Sequence, residues 1–88
     1  MRNVRLSDQV RDYIRGLPPI QKKRLRDGLR GLENLEGDIK DLERQLDGYC
    51  RLRVHQFRII LKIYPDHVNC IFIERRNIVY EVFQASLR

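Results

Sequence analysis

The sequence has no tryptophan, one methionine, two histidines and two cysteines, and each scarcity closes off a chemistry. Cys50, Cys70, His55 and His67 form no CxxC pair or Cys/His cluster that would supply the four ligands of a zinc site, so no metal or other cofactor is expected. Both cysteines fall in apolar, β-like runs, which predicts buried, reduced thiols rather than a disulfide framework. No apolar run approaches the ~20 residues of a membrane helix. Met1-Arg2-Asn3-Val4-Arg5 leads into no apolar signal core, so the expectation is a cytoplasmic chain with no membrane partner. Repeats and low-complexity tracts are absent as well.

Lysine is also scarce: the chain carries 14 Arg against 4 Lys, with a formal net charge of +6. A guanidinium grips phosphate through two parallel hydrogen bonds, whereas an ammonium acts as a point charge. The bias favours a polyanionic partner, although charge alone is equally compatible with a basic protein that is merely soluble. At 88 residues, 42% hydrophobic, the chain fits one folded domain over 1–88 and is too apolar for a disordered tail.

The hydrophobic period changes near Leu46. Arg2 to Leu6 alternates weakly, as a short first strand would. Ser7 is placed to cap a helix carrying Val10, Tyr13, Ile14 and Leu17 at helical spacing, which Gly16 and Pro18-Pro19 end. Pro19 opens a second helix with Ile20, Leu25, Leu29, Leu32 and Leu35 along one stripe. Its cations Lys22, Lys23, Arg24, Arg26 and Arg30 read first as a solvated face, with steering toward RNA as the second reading. Glu36 to Asp47 is acidic, anchored by Ile39, Leu42 and Leu46, and is expected to lie away from any cationic face. From Gly48 the pattern is β: 48–54, 57–64 and 68–74, joined by His55-Gln56 and Pro65-Asp66-His67, with 78–83 a last strand or a C-terminal segment. The fold class expected is α+β: a short N-terminal strand and two helices packed on one face of a curled antiparallel sheet of three to four further strands.

A two-residue turn at His55-Gln56 fixes the first hairpin on paper. Val54 then pairs with Phe57, Arg53 with Arg58, Leu52 with Ile59, Arg51 with Ile60 and Cys50 with Leu61. One face carries Cys50, Leu52, Val54, Phe57, Ile59, Leu61 and Ile63, all apolar. The other carries Tyr49, Arg51, Arg53, Arg58, Ile60 and Lys62. Extending through a Pro65-Asp66 turn pairs Arg58 with Ile73 and puts Arg75 on the cationic face, a one-residue slip exchanging it for Arg76. Like charges facing one another cost a few tenths to about 1 kcal/mol. The β half offers only Asp66, Glu74 and Glu81 to balance them, so a site built for a polyanion is preferred over an ordinary solvated face.

These residues resemble a known pattern. Leu46-Asp47-Gly48-Tyr49-Cys50-Arg51-Leu52-Arg53-Val54, then Phe57-Arg58-Ile59-Ile60, resembles the L-x-G-Y-x-R-L-R-V-x-x-Y-R-I-I-Y core of the RelE/ParE toxins, and Glu74-Arg75-Arg76-Asn77-Ile78-Val79-Tyr80 resembles their G-H-R-x-x-V-Y ending. The resemblance implies the toxin of a type II toxin–antitoxin pair, with a cognate acidic antitoxin as partner. RelE-like members cut mRNA at the ribosome with basic residues and a C-terminal tyrosine; ParE-like members inhibit DNA gyrase and generally lack the full basic set. Here the basic set is filled, which favours the ribonuclease branch, with mRNA and the ribosome as partners and metal-independent attack by the ribose 2′-hydroxyl. The catalytic set implied is Arg53, Arg58, Arg76 and Tyr80, with Arg51, Lys62 and Arg75 holding RNA. Gyrase inhibition, through surfaces such as Ile20–Leu35, and non-catalytic RNA binding stay open as alternatives. The chain departs from the pattern at Glu74-Arg75, where many members have Gly-His, so whether Arg75 or Arg76 is the site arginine stays open. Phe57 replaces the usual tyrosine, and Phe83 occupies the alternative tyrosine position.

Overall fold

Ser7 both closes the first strand and opens the first helix. Its Oγ accepts from the Val10 amide at 3.2 Å and donates to the Ile71 carbonyl at 2.7 Å. The computed structural model describes residues Met1–Leu87, and the strand is β1 (Asn3–Leu6), followed by α1 (Asp8–Arg15) and α2 (Pro19–Gly31). Beyond these come β2 (Asp38–Asp41), β3 (Cys50–Val54), β4 (Phe57–Ile63), β5 (His67–Arg75) and α3 (Val79–Ser86). The strands form one sheet in the order β1-β5-β4-β3-β2, with β1 parallel to β5 and the other neighbours antiparallel. Where β1 runs out, Gln9 takes over the edge of β5: its Nε2 donates to the Ile73 carbonyl at 2.8 Å and its Oε1 accepts from the Ile73 amide at 2.9 Å. Among the described residues no helix is long and apolar enough to cross a membrane.

The α1 and α2 stripes cover the apolar sheet face. Val10, Ile14, Leu25, Leu29 and Leu32 pack with Leu52, Phe57, Ile59, Leu61, Val68, Cys70 and Ile73. Both cysteines are buried and free, and burial raises their thiols, Cys70 to about 12 and Cys50 to about 11, the latter helped by its hydrogen bond to Asp41. The α2 cations Lys23, Arg24, Arg26 and Arg30 are exposed, and Lys23 pairs with Asp27 at 2.9 Å, as a solvated face requires.

Gly28, inside α2, marks the closest approach of helix to sheet. A Cβ there would sit 2.8 Å from Val54 Cγ2, and a β-branched side chain in a packed layer has little room to yield. Helix propensity would favour alanine by up to ~1 kcal/mol, but overpacking of this kind costs ~1–3 kcal/mol. Gly28→Ala is therefore expected to destabilise the protein by ~1 kcal/mol in urea unfolding; a gain in stability would mean that the helix–sheet spacing is slack.

The four further strands are antiparallel as expected, and β1 adds to β5 in parallel, so the sheet as a whole is mixed. Three expectations are corrected or narrowed. The acidic connector does not lie away from the cationic face: Asp38–Asp41 is an edge strand on β3, since Ile39 opposite Leu52 brings an apolar side chain to the core, and Asp38 meets Arg51. Residues 78–83 enter a helix, not a strand. Val79 and Phe83, four apart, are buried against Ile60 and Leu46 on the second sheet face, and this packing overrides their β propensity. Finally, the β4–β5 register matches the paper hairpin at Ile63↔Val68, Lys62↔Asn69 and Leu61↔Cys70, then slips by one residue at a bulge between Ile60 and Leu61. Arg58 therefore faces Glu74, not Ile73, and Arg75 falls opposite Phe57, on the helix side of the sheet.

Candidate nucleic-acid interface

The β3–β4 hairpin has the register that its two-residue turn dictates: Cys50↔Leu61, Arg51↔Ile60, Leu52↔Ile59, Arg53↔Arg58, Val54↔Phe57. His55 takes φ 52°, the left-handed backbone of a tight hairpin. Arg53 is exposed and stands directly across from Arg58, which is partly buried. Arg58 Nη1 donates to the carbonyls of His55 at 2.8 Å and Phe57 at 2.9 Å, so the turn itself holds the guanidinium. Burial lowers the Arg58 pKa, the positive charges of Arg53 and Arg51 lower it further, Tyr80 opposes them, and Arg76 adds the smallest lowering.

Arg76 arrives from the other side. Its amide donates to the Gln56 carbonyl at 2.8 Å, tying the turn after β5 to the hairpin tip and bringing this side chain within electrostatic reach of Arg58. Tyr80, in the first turn of α3, lines a cleft of about 360 Å³ together with Arg51, Lys40, Asp41, Leu42, Glu43 and Leu46. Arg51, Arg53, Arg58, Arg76 and Tyr80 thus share one surface.

Lys62 and Arg75 do not join them. Lys62 lies four residues along β4 from Arg58, ~13 Å at strand spacing. Between them is Ile60, fully buried in the cluster that includes Val79 and Phe83. The Lys62 ammonium sits 4.6 Å from the centroid of the Tyr49 ring. Arg75, turned to the helix side by the bulge, acts instead on Tyr13. Glu74, in register with Arg58, turns its carboxylate away and accepts from the Tyr13 hydroxyl at 3.1 Å. Burial raises the Tyr13 pKa, and Glu74 adds to the rise. His55 meets the cluster through its backbone carbonyl. His67 is at the far end of β4–β5, stacked on Tyr64 and bonded to Asp66 at 2.6 Å.

Two residues of this surface were invisible to sequence reasoning, Asp38 and Lys40. Both reach the cationic face through β2, Lys40 opposite Arg51 and Asp38 opposite Arg53. The Asp38 carboxylate lies 3.2 Å from Arg51 Nη1. The only signal for β2 was Ile39 alone among charges in D-I-K-D, too short for a period.

A helical hairpin on one face of a sheet of this topology is the fold of solved RelE, YoeB and YafQ toxin chains, and the chain has that fold. Among solved structures, it is similar to the toxin–antitoxin complex RelBE2 from Mycobacterium tuberculosis (TM-score 0.72, 24% identity over 85% of this chain and 91% of that one). It is also similar to the RelB–RelE antitoxin–toxin complex from Methanococcus jannaschii (TM-score 0.69, 20% identity, covering 90% and 98%) and to YafQ from E. coli (TM-score 0.68, 15%, covering 88% and 96%). A YoeB/ParE toxin from Agrobacterium tumefaciens shares the fold at 12% identity, TM-score 0.68, covering 84% and 98%. No protein-family model and no curated protein matches the chain.

Proposed function

We propose that this chain is the toxin of a toxin–antitoxin pair and an endoribonuclease that cuts mRNA, arresting translation at the ribosome. The observation that carries the proposal is the convergence of Arg53, Arg51 and Arg76 on a partly buried Arg58, where burial and like charge both disfavour the cation. A phosphate brought to that point relieves both penalties, and the relief is greatest when charge accumulates on its oxygens in the transition state. The ribose 2′-oxygen attacks the adjacent phosphorus in line, the P–O5′ bond breaks, and a 2′,3′-cyclic phosphate and a 5′-hydroxyl result. Arg58 and Arg76 bind the scissile phosphate, and Arg53 and Arg51 hold the flanking backbone. One proton must leave the 2′-hydroxyl and one must reach the departing 5′-oxygen. Arginine is a poor proton carrier at neutral pH. Tyr80 is the side chain of the cluster suited to the task.

Several solved proteins of this fold were captured as complexes with antitoxins, which supports an antitoxin partner here, an acidic chain that covers the cationic face. The test is mapping of transcript 5′ ends after induction in cells, with and without translation. New ends inside coding sequence, dependent on Arg58, are expected. A DNA-damage response with no new ends would replace cleavage by gyrase inhibition on the same fold. Tyr80→Phe is expected to slow cleavage by ~10²-fold while RNA binding is kept. Should Tyr80→Phe cut at the normal rate and Tyr80→Ala not, the ring stacks on a base and protons travel by another route.

A further inference from the structure

The edge strand β2 brings one carboxylate into the cationic surface. Asp38 stands opposite Arg53 in register, and its Oδ1 reaches diagonally to Arg51 Nη1 at 3.2 Å. The same Nη1 also donates to the Asp38 backbone carbonyl at 3.0 Å, so Arg51 is gripped twice by one residue. The pair differs from the other Arg/Lys–carboxylate bridges among the described residues. Arg11–Asp8, Arg15–Asp12 and Lys23–Asp27 are helical neighbours whose cations are 53%, 69% and 78% exposed. The Arg51 side chain is only 15% exposed, while that of Asp38 is 54% exposed, with solvent on its outer side. Asp38 cannot neutralise Arg51, Arg53, Arg58, Arg76 and Lys40, even with Glu43 lining the cleft beside them. It can hold one guanidinium against its neighbours.

We propose that Asp38 is a built-in counter-anion for Arg51, standing where an RNA phosphate would bind and exchanging with that phosphate when RNA docks. The inference rests on the proposal that this face binds RNA, and it adds a residue that sets affinity. Its signature is a pair of effects of opposite sign. Removing the charge frees Arg51 for phosphate and so tightens RNA binding, while the unbalanced cations loosen the fold. A carboxylate with a purely structural role would lower stability and leave binding unchanged or weaker.

The measurement is fluorescence anisotropy of a labelled 2′-O-methyl oligoribonucleotide, which lacks the attacking hydroxyl and is not cut, titrated with wild type, Asp38→Asn and Arg51→Ala across a salt series. Asp27→Asn is the control. It removes the same charge, also from an ion pair with a cation, but on α2. Asp38→Asn is expected to bind roughly two- to fivefold tighter, the range an exposed ion pair is worth. Its log K against log salt should steepen by ~0.7, one further phosphate contact on single-stranded RNA. Its Tm should fall by ~2–4 °C. Arg51→Ala is expected to bind more weakly than wild type. If Asp38→Asn binds no tighter while Arg51→Ala is weakened, RNA uses Arg51 with Asp38 in place; the counter-anion idea is then overturned and the site stands. If Asp27→Asn tightens binding equally, the effect is net charge alone and the idea falls again. Failure of wild type and Asp38→Asn alike to bind overturns both the site and the inference.

Discussion

Replacing Arg58 with alanine is expected to cut the rate of RNA cleavage by ~10²–10³-fold, the range seen when one preorganised donor to a transition-state oxyanion is removed. The size follows from position rather than charge count. Arg58 is the cation that burial, Arg53, Arg51 and Arg76 all press upon, so the most relief is available where it meets a phosphate. The turn also holds it in place, through the His55 and Phe57 carbonyls, so little ordering is required at the moment of reaction. Stability should move the other way. Loss of a guanidinium facing Arg53 removes repulsion worth a few tenths of a kcal/mol, so unfolding of Arg58→Ala should occur at the wild-type midpoint or slightly above it. Arg58→Lys keeps the charge without the planar fork and should recover only part of the rate. An Arg58→Ala protein that is folded and cuts RNA within tenfold of wild type would remove Arg58 from the chemistry.

The residue just before it in the chain predicts the opposite separation. Phe57 points to the other face, is 2% exposed, and meets the Tyr13 ring edge-on at 5.9 Å between centroids. Phe57→Ala leaves a cavity where α1 crosses the sheet and should cost ~3–5 kcal/mol. Domains are stable by only ~5–15 kcal/mol, and one this small has few other core residues to compensate. The variant is therefore expected to be largely unfolded near 37 °C by circular dichroism, with a urea midpoint far below wild type. A loss under ~1 kcal/mol would mean that the core refills the space and that the α1–sheet contact is loose. Adjacent residues 57 and 58, one structural and one chemical, are the clearest expression of the strand's period of two.

Much of this surface was legible before folding. The hairpin 50–63 required only the alternation of its side chains and a two-residue turn, and its register and both of its faces are those expected. Ser7, Pro19 and, from the α2 stripe, Leu25, Leu29 and Leu32 likewise behave as local rules require, whereas Ile20 is 69% exposed. What could not be read were three long-range facts. The bulge after Ile60 turns Arg75 to the helix side and leaves Arg76, tied to Gln56, as the arginine beside Arg58. The strand Asp38–Asp41 brings an acid into a surface that was expected to be purely cationic. The helix Val79–Ser86 closes over Ile60 and separates Lys62 from the arginines.

By itself, then, the sequence determined which side chains of each strand share a face, because that depends on backbone geometry repeating every two residues and on turn length. Tertiary structure alone decided which strands flank the hairpins, where one residue is skipped, and which charge ends beside which. Those depend on sheet twist and on the burial of Ile39, Val79 and Phe83 against partners distant in the chain, where no local period carries the information.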